Sequence, residues 1–325
     1  MKAAWYERQG PARDVLTVGE LPAPTPGAGE VRLRVAVSGI NPGDTKKREN
    51  FFGYGMAYPR VVPHSDGAGV IDRVGEGVPE AWLGRRVWCY GAQSYRPFGT
   101  AAEYVVLPLA QVVPLPSGVP FEQGACLGIP AITAHRAVHA AGPVAGRTVL
   151  VQGGAGAVGL CAVALAHHAG ARVIATVRRA SDEAFVRAAG ADEVVVTTAE
   201  NVAEQIKALA PDGVDHIVEV AFAANLATNT EVLALGGSVA TYATDDPAPA
   251  LPFWELLFKN ARIFLVGSDD VPQAAKQAAA RDVNAAFEAG WRGFEIAESL
   301  PLAEIARAHE LVDRPVRRGR VVLTL

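Results

Sequence analysis

Hydrophobic and polar residues follow two different patterns along this chain, and the change comes at about residue 120. Apolar and polar positions alternate over 31–35, as expected of a β-strand with one solvent-facing side. Segments 67–75 and 85–90 are further strand candidates between glycine breaks, and three prolines between residues 22 and 26 interrupt regular structure. The pattern therefore predicts a β-rich first part.

After about residue 122, segments with helical periodicity alternate with short apolar runs. The predicted helices are 121–140, 160–169, 181–189, 200–210, 225–235 and 273–289, and the predicted strands are 149–151, 173–176, 194–196, 217–220, 239–242 and 263–266. Nearly all-apolar strands between helices are typical of a parallel sheet covered on both faces. The fold class is therefore α/β, with a doubly wound parallel sheet in one domain and a separate β-rich domain formed by the first part of the chain.

The last segment predicts a helix over 302–312 and a strand over 321–325, and we expect it to return to the first domain. The predicted domains are then 1–121 together with 292–325, and 122–291.

A glycine motif follows the first strand of the second pattern. The strand 148–152 leads into Gly154-Ala155-Gly156-Ala157-Val158-Gly159, and a helical run of small residues continues from 160. Strand, glycine turn and helix are the context of the dinucleotide-binding fingerprint. Gly154 is expected to permit the tight turn, Gly156 the approach of a pyrophosphate and Gly159 the close packing of the helix. These six residues are the predicted phosphate-binding loop.

The end of the next strand favours NADPH over NADH. An NAD site places Asp or Glu about 20 residues past the first glycine, to accept from the ribose 2′-hydroxyl. This chain has apolar residues and Thr176 there, followed by Arg178 and Arg179. An arginine matches a 2′-phosphate in charge and geometry, although either arginine could instead be a solvated loop residue.

Composition narrows the class of protein. The 325-residue chain is half hydrophobic and carries a net charge of −4, and it has no long basic run beyond 317–320, so no nucleic-acid partner is expected. Cys89, Cys126 and Cys161 show no paired spacing and are expected to be buried thiols in a reducing compartment. With no signal-peptide core at its start and no membrane-spanning run, the chain is expected to be cytoplasmic.

Short blocks across nearly the whole chain resemble a known family. They read SGINPGD at 38–44, HSDGAGVI at 64–71, GTAAEY at 99–104, GIPAITA at 128–134, LGGSV at 235–239 and AHE at 308–310. With the glycine motif, they are similar to the zinc-free, zeta-crystallin-like quinone oxidoreductase branch of the medium-chain dehydrogenase/reductase superfamily. The resemblance implies a GroES-like substrate domain, a Rossmann domain with a cleft between them, and a homodimer or homotetramer.

The same resemblance argues against a metal. Zinc-dependent relatives have a ligand Cys where this chain has Asn41, and a His-Glu pair where it has Ser65-Asp66. A catalytic zinc needs three protein ligands, whereas His64 and Asp66 could supply two. The alternative for His64 is a hydrogen-bonded loop histidine.

Without zinc, the implied reaction is hydride transfer from NADPH to a quinone, aided by a hydrogen-bond donor near the acceptor oxygen. One alternative is an NADPH-dependent reductase of enals, enones or acrylyl-type thioesters. Another is a non-catalytic NADPH-binding or RNA-binding protein.

Four residues are the catalytic candidates. Asn41 can donate to a substrate oxygen or can be a turn residue before Pro42. Thr133 matches a family threonine near the nicotinamide. Lys46 departs from the family tyrosine, and can stabilise an enolate or remain a solvated charge. Tyr54 belongs to an aromatic loop that either shapes the acceptor pocket or packs on its own domain, and its phenol can donate a proton.

Other cofactor contacts are implied by position in the family pattern. Asp182 and Thr197 stand where relatives often have Lys and Tyr, so Arg178, Arg179 and Ser181 would have to replace those contacts. Further candidates follow later strands or lie near the C-terminus, and they are Tyr242, Gly267, Ser268 and Arg320. For Tyr242 the alternative is a core tyrosine, and for Arg320 a surface charge.

Overall fold

The computed structural model describes residues 1–198, 200–314 and 318–325. Arg317, part of the basic run, lies outside the described residues. Among the residues described, no helix has the length and apolar character needed to cross a bilayer.

The first part of the chain is rich in strands. Its elements are β1 (Lys2–Trp5), α1 (Ala12–Val15), β2 (Thr17–Glu20), β3 (Glu30–Gly39), α2 (Pro42–Glu49), β4 (Asp66–Val74), β5 (Arg86–Cys89), β6 (Tyr104–Pro108), β7 (Val112–Pro114) and α3 (Phe121–Gly124).

Helices and strands then alternate. The elements are α4 (Gly128–Val138), β8 (Thr148–Val151), α5 (Ala157–His168), β9 (Arg172–Val177), α6 (Glu183–Ala188), β10 (Glu193–Val196), α7 (Val202–Leu209), β11 (Val214–Glu219), α8 (Phe222–Val232), β12 (Leu233–Thr241), α9 (Phe253–Phe258), β13 (Arg262–Leu265) and α10 (Gln273–Glu288). The chain finishes with β14 (Ile296–Pro301), α11 (Ile305–Asp313) and β15 (Arg320–Thr324).

The chain forms two compact units. Met1–Ile129 and Phe294–Leu325 make up the first, and Pro130–Gly293 the second. The first division therefore comes after the expected boundary at 121/122, and the second comes just after the expected boundary at 291/292.

The first unit is built on a seven-stranded sheet in the order β14-β15-β3-β4-β5-β7, with β6 paired to β3. All of these strand pairs are antiparallel except β14 with β15. The alternating apolar positions of β3 face a core that includes Leu33, Ile71 and Val87, each fully buried. The predicted half-buried strand is thus explained by a core on one face of this sheet.

The second unit is built on a six-stranded parallel sheet in the order β10-β9-β8-β11-β12-β13. Numbered from β8, this is the 3-2-1-4-5-6 order of a doubly wound dinucleotide-binding sheet. The chain crosses from β10 on one side to β11 on the other side of β8. The fold class predicted from the sequence is confirmed.

Several helix boundaries were predicted wrongly. The single helix expected over 121–140 is two helices, because the backbone N–H groups of Cys126 and Leu127 bond three residues back and tighten the chain between α3 and α4. The helix expected over 225–235 begins at Phe222 and gives way to β12 at Leu233. Helix α9 was missed because its aromatic residues face solvent and leave no helical pattern toward a core.

Gly39, the last residue of β3, provides a stability test. A Cβ added there would lie 1.8 Å from the Ala125 carbonyl oxygen, a backbone atom that no side-chain rotation can remove. We expect Gly39→Ala to lower the free energy of unfolding by about 1–3 kcal/mol, measured by chemical denaturation. Gly43→Ala is the matched control, since a Cβ at Gly43 meets nothing within 4 Å and alanine favours the helix. Equal stabilities for the two variants would contradict the close contact.

Candidate active site

The turn between β8 and α5 is the centre of the second unit's candidate site. Gly153 has φ of +69°, in the left-handed region that favours glycine, whereas Gly154 does not. Gly154 lies within the tight turn, which the Gly156 N–H closes on the Gly153 carbonyl at 2.9 Å, but the left-handed position of the turn is a different residue. That position belongs to Gly153, one residue before the motif, and the apolar strand followed by two glycines was the available signal.

The other glycines permit close packing. A Cβ at Gly159 would lie 2.2 Å from the Gly153 carbonyl oxygen, and one at Gly154 would lie 3.0 Å from the Ala175 side chain. Gly156 precedes the first residue of α5 and is exposed. The amide groups of Ala157 and Val158 are in the first helical turn, where N–H groups lack intrahelical acceptors and the helix dipole favours an anion. These residues fit the pyrophosphate of a dinucleotide.

A buried chain of hydrogen bonds holds this turn. The Gly153 N–H donates to Thr176 Oγ1 at 3.0 Å, and this hydroxyl donates to Gln152 Oε1 at 2.7 Å. Gln152 Nε2 donates to Asn229 Oδ1 at 2.8 Å, and Asn229 Nδ2 donates to Glu219 Oε2 at 2.5 Å. The turn is thereby tied to β9, β11 and α8. Sequence reasoning missed these residues, although polar side chains in otherwise apolar strands were a signal.

The predicted 2′-phosphate ligands follow β9. Arg178, Arg179 and Ser181 are all exposed. Neither arginine forms an ion pair with any residue that the structure describes. Strand β9 is the parallel neighbour of β8. The two arginines follow β9 and the glycine turn follows β8, so both lie at the carboxyl-terminal end of the parallel strands.

Other predicted cofactor contacts lie at the same carboxyl-terminal end of the sheet. Tyr242 follows β12, and Gly267 and Ser268 come soon after β13. Burial, and next the charge of Glu219, raise the pKa of Tyr242 above its ordinary value, so its phenol stays protonated. Thr133 is a nearly buried residue of α4 in the same unit.

Asn41, Asp66 and Arg320 form a buried cluster in the first unit. Asn41 Nδ2 donates to Asp66 Oδ2 at 2.7 Å, and Arg320 Nη2 donates to Asn41 Oδ1 at 2.7 Å and to the Ile40 carbonyl at 2.9 Å. Arg320 is 7% exposed, so the alternative of a surface charge was wrong. In the part of the chain that the structure describes, its Nε is buried with no hydrogen-bond partner.

Asn41 is also more than a turn residue, because it caps α2. Its backbone N–H donates to Asp44 Oδ2 at 2.8 Å, which is one half of a capping box. The cap fixes the backbone of Asn41, while Asp66 and Arg320 fix the orientation of its amide. The side chain is therefore held rigidly from three sides.

Asp66 is fully buried in this cluster. The Ile129 N–H donates to both carboxylate oxygens at 2.9 Å, an approach allowed because Gly128 has no Cβ, which would lie 2.1 Å from Asp66 Oδ1. Burial raises the pKa of Asp66 to about 7, and the hydrogen bond from Asn41 opposes this rise. Asp66 is thus a carboxyl group that can hold a proton near neutral pH.

His64 belongs to a chain of hydrogen bonds whose direction is fixed. The Thr100 hydroxyl donates to the Asp66 carbonyl at 2.6 Å, so the Ser38 hydroxyl must donate to Thr100 Oγ1 at 2.7 Å. His64 Nδ1, 2.8 Å from Ser38 Oγ, must then carry a proton and donate it.

The other end of the chain agrees with this assignment. Arg48 Nη1 can only donate, so His309 Nδ1 accepts from it at 3.2 Å. His309 Nε2 then donates to His64 Nε2 at 2.9 Å, and both rings are neutral. Burial lowers the pKa of His64 to about 3 and that of His309 well below its ordinary value. Both nitrogens of His64 are therefore engaged.

The donor set around Asn41 does not fit a catalytic zinc ion. His64 offers no free lone pair, the Asn41 amide oxygen accepts from Arg320, and the Arg320 guanidinium places a positive charge beside the cluster. Zinc requires three protein N, S or O ligands with available lone pairs. The arrangement supports the interpretation of His64 as a hydrogen-bonded histidine.

Lys46 and Tyr54 lie on α2 and on the loop that follows it. Lys46 is half-buried, and its Nζ lies 4.7 Å from the centroid of the Phe51 ring. Tyr54 is 90% exposed and stacks on Phe52 with ring centroids 6.0 Å apart. Neither side chain is brought into the Asn41 cluster by the contacts of this unit.

Comparison with known proteins gives the class and then the branch. A family model described as alcohol dehydrogenase GroES-like domain matches residues 27–117, and one described as zinc-binding dehydrogenase matches 157–280. A quinone oxidoreductase of Rattus norvegicus is 33% identical over 98% of this chain and 96% of its own. The chain therefore belongs to the quinone oxidoreductase branch of the medium-chain dehydrogenase/reductase superfamily.

Two solved structures are also similar over the whole chain. A structure titled as an NAD-dependent alcohol dehydrogenase has 27% identity and a TM-score of 0.87, and both chains are fully covered. A mycobacterial protein complexed with NADPH has 26% identity and a TM-score of 0.84, again with full coverage of both chains.

Asp66 makes the stability of the first unit depend on pH. Its pKa of about 7 in the folded chain lies above the ordinary 3.8, so between these values the folded chain holds a proton that the unfolded chain releases. Protonated Asp66 therefore stabilises the folded chain at acid pH, and this stabilisation is lost as the pH rises through 7. Asp66→Asn removes this titration, so its stability relative to the wild type should improve by on the order of 2–4 kcal/mol between pH ~4 and ~8.

Urea denaturation at several pH values measures this difference. Asp14→Asn, a change at an exposed carboxylate of the same unit, is the control and should follow the wild type. Parallel profiles for Asp66→Asn and the wild type would show that Asp66 ionises normally in the folded chain.

Proposed function

We propose that the protein reduces quinones with NADPH and without a catalytic zinc ion. The observation that carries the proposal lies at the carboxyl-terminal end of the parallel strands. There a glycine turn follows β8, and two arginines that have no acidic partner among the described residues follow the neighbouring strand β9. Membership of the quinone oxidoreductase branch supports the acceptor class.

The choice of coenzyme rests on residues of this chain. Of the two similar structures, one contains NADPH and the other is named as NAD-dependent, so similarity alone does not separate the coenzymes. At the end of β9, Val177 is followed by Arg178 and Arg179, whereas an NAD site would place Asp or Glu near this point. Guanidinium groups bind phosphate through paired, charge-assisted hydrogen bonds. Ser181 adds a hydroxyl donor nearby.

NADPH, when bound, supplies a hydride to an electron-poor acceptor. The glycine turn would hold the phosphate groups, and Tyr242, Gly267 and Ser268, which follow strands of the same parallel sheet, would border the nicotinamide half. Thr133 would position the nicotinamide ring. Each of these residues binds or orients, which is the contribution a protein makes to cofactor chemistry.

Asn41 polarises the acceptor oxygen. Among the described residues, its side-chain hydrogen bonds use Oδ1 and one N–H of Nδ2, so the second N–H would donate to the acceptor. Arg320 increases the polarity of this amide and prevents its rotation, since Oδ1 is held by the guanidinium. A preorganised donor of this kind stabilises the negative charge that develops on oxygen. Lys46 and Tyr54 are the remaining proposed catalytic residues, Lys46 as a positive charge that stabilises an enolate and Tyr54 as a proton donor.

Self-association of this chain is proposed through the edge of the second unit's sheet. Strand β13 lies at that edge. Large apolar side chains on and near it are exposed, namely Leu235, Leu251, Phe253, Trp254, Phe258 and Leu265. Exposed apolar patches of this kind mark interaction surfaces, and a homodimer or homotetramer would cover this one. A cytoplasmic location is proposed from the three cysteines, which are buried as predicted and form no disulfide bond among the described residues.

The function is tested by oxidation of NADPH in the presence of a naphthoquinone, compared with an enone. We expect turnover of the quinone, and a kcat at least tenfold lower in Tyr54→Phe, which keeps the ring and removes the donor. Tyr58→Phe is the control, because the Tyr58 hydroxyl already donates to the Tyr95 carbonyl and is not the proposed proton donor. Turnover of the enone alone would identify an alkene reductase, and NADPH binding without turnover of either would identify a non-catalytic protein.

The coenzyme assignment is tested by replacing both arginines. Arg178→Ala with Arg179→Ala should raise KM for NADPH by about tenfold to a hundredfold, as expected for lost charged hydrogen bonds. The KM for NADH should change little. Arg281→Ala, at an exposed arginine of the same unit, is the control. Equal effects on both coenzymes would exclude the two arginines as the 2′-phosphate site.

A further inference from the structure

A second group of metal-ligating side chains lies in the second unit, apart from the glycine turn. His135 is in α4, His139 follows the end of that helix, and Asp282 is in α10. One ligand atom from each residue can be chosen so that all three atoms lie within 4.8 Å of one another. His135 Nε2 is 2.9 Å from Asp282 Oδ2, and the two imidazole rings are 4.6 Å apart.

The helix geometry explains why the two imidazoles meet. The backbone N–H of His139 donates to the His135 carbonyl at 3.0 Å, so the helical turn continues through His139. Residues four apart on a helix lie on one face, with side chains one above the other. The two histidines therefore point toward the same part of α10.

We propose that His135, His139 and Asp282 bind a divalent transition-metal ion, with Zn²⁺ as the occupant. Two imidazole nitrogens and one carboxylate oxygen are a donor set that zinc accepts. Ligand atoms of a tetrahedral zinc site are about 3.4 Å apart, as follows from bonds of about 2.1 Å. Small side-chain rotations bring the three atoms to these separations.

The surroundings fit a bound ion. The His135 side chain is 11% exposed and that of Asp282 is 50% exposed, so the ligands are held on one side while solvent reaches the other. The Gly142 N–H donates to the His139 carbonyl at 3.1 Å, which fixes the backbone that carries this ring. Water would complete the coordination on the solvent side.

A nearby histidine is excluded as a fourth ligand. His216 Nδ1 is 2.8 Å from Ser238 Oγ, and its Nε2 is 2.8 Å from the Ala137 carbonyl oxygen. Both of its nitrogens are engaged, so the protein supplies three ligands. A bound ion would join α4 to α10 and would stabilise the second unit more as the free Zn²⁺ concentration rises above its dissociation constant.

Titration of the chelator-treated full chain with Zn²⁺ tests the proposal. Equilibrium dialysis should give one tightly bound ion per chain, and the melting temperature should rise with Zn²⁺. In His139→Gln and in Asp282→Asn the affinity should fall at least tenfold, while the melting temperature without metal should stay near that of the wild type. Co²⁺ in place of Zn²⁺ should give visible absorption that is lost in both variants.

His168→Gln is the matched control, since His168 is an exposed histidine at the end of α5. It should bind Zn²⁺ as the wild type does. Unchanged affinity in Asp282→Asn would show that the histidine pair alone binds the ion and would overturn the three-ligand site. Equal losses in His168→Gln and His139→Gln, or no binding by the wild type, would overturn it entirely.

Discussion

Close approach of two backbone segments is the constraint on which the second unit depends. A Cβ at residue 159 would collide with the Gly153 carbonyl oxygen, so the strand and the helix meet without a side chain between them. This contact brings the first turn of α5 to the end of β8 and presents its N–H groups outward. The buried chain from Thr176 to Glu219 then fixes the turn relative to three neighbouring elements. The proposed phosphate site therefore depends on backbone position, and the polar side chains serve to hold that position.

The first unit uses the opposite strategy, in which buried polar side chains define the geometry. Asn41 has its backbone fixed by the cap of α2 and its amide fixed by Asp66 and Arg320. A cluster with two ionisable groups costs desolvation energy, and its retention is understandable if orientation of the amide matters for the reaction. The second unit thus contributes a candidate anion site formed by backbone N–H groups. The first unit contributes a candidate hydrogen-bond donor on a side chain.

Sequence patterns predicted the alternation of strands and helices and the glycine turn, because burial on both faces of a sheet leaves a strong local signal. They indicated that Arg178 and Arg179 follow the next strand, since the residue spacing from β8 to the end of β9 is local, and the role of the two arginines stays a prediction. The environment of Arg320 could not be predicted, because its partners Ile40 and Asn41 are far away in the sequence. The same holds for His64 and His309, and for Asp282 beside His135. Such contacts are decided by tertiary packing, which no local periodicity encodes.

The division of the chain has a consequence for its synthesis. Pro130–Gly293 is continuous, whereas the other unit needs Phe294–Leu325 to complete its sheet with β14 and β15. Domains generally fold as units while the chain leaves the ribosome. The nucleotide-binding half can therefore fold during translation, whereas the half containing Asn41 must wait for the final strand. Until then residues 37–39 of β3 have no partner on the side where β6 pairs with residues 30–34, and the nascent polypeptide exposes a short sheet edge that invites aggregation.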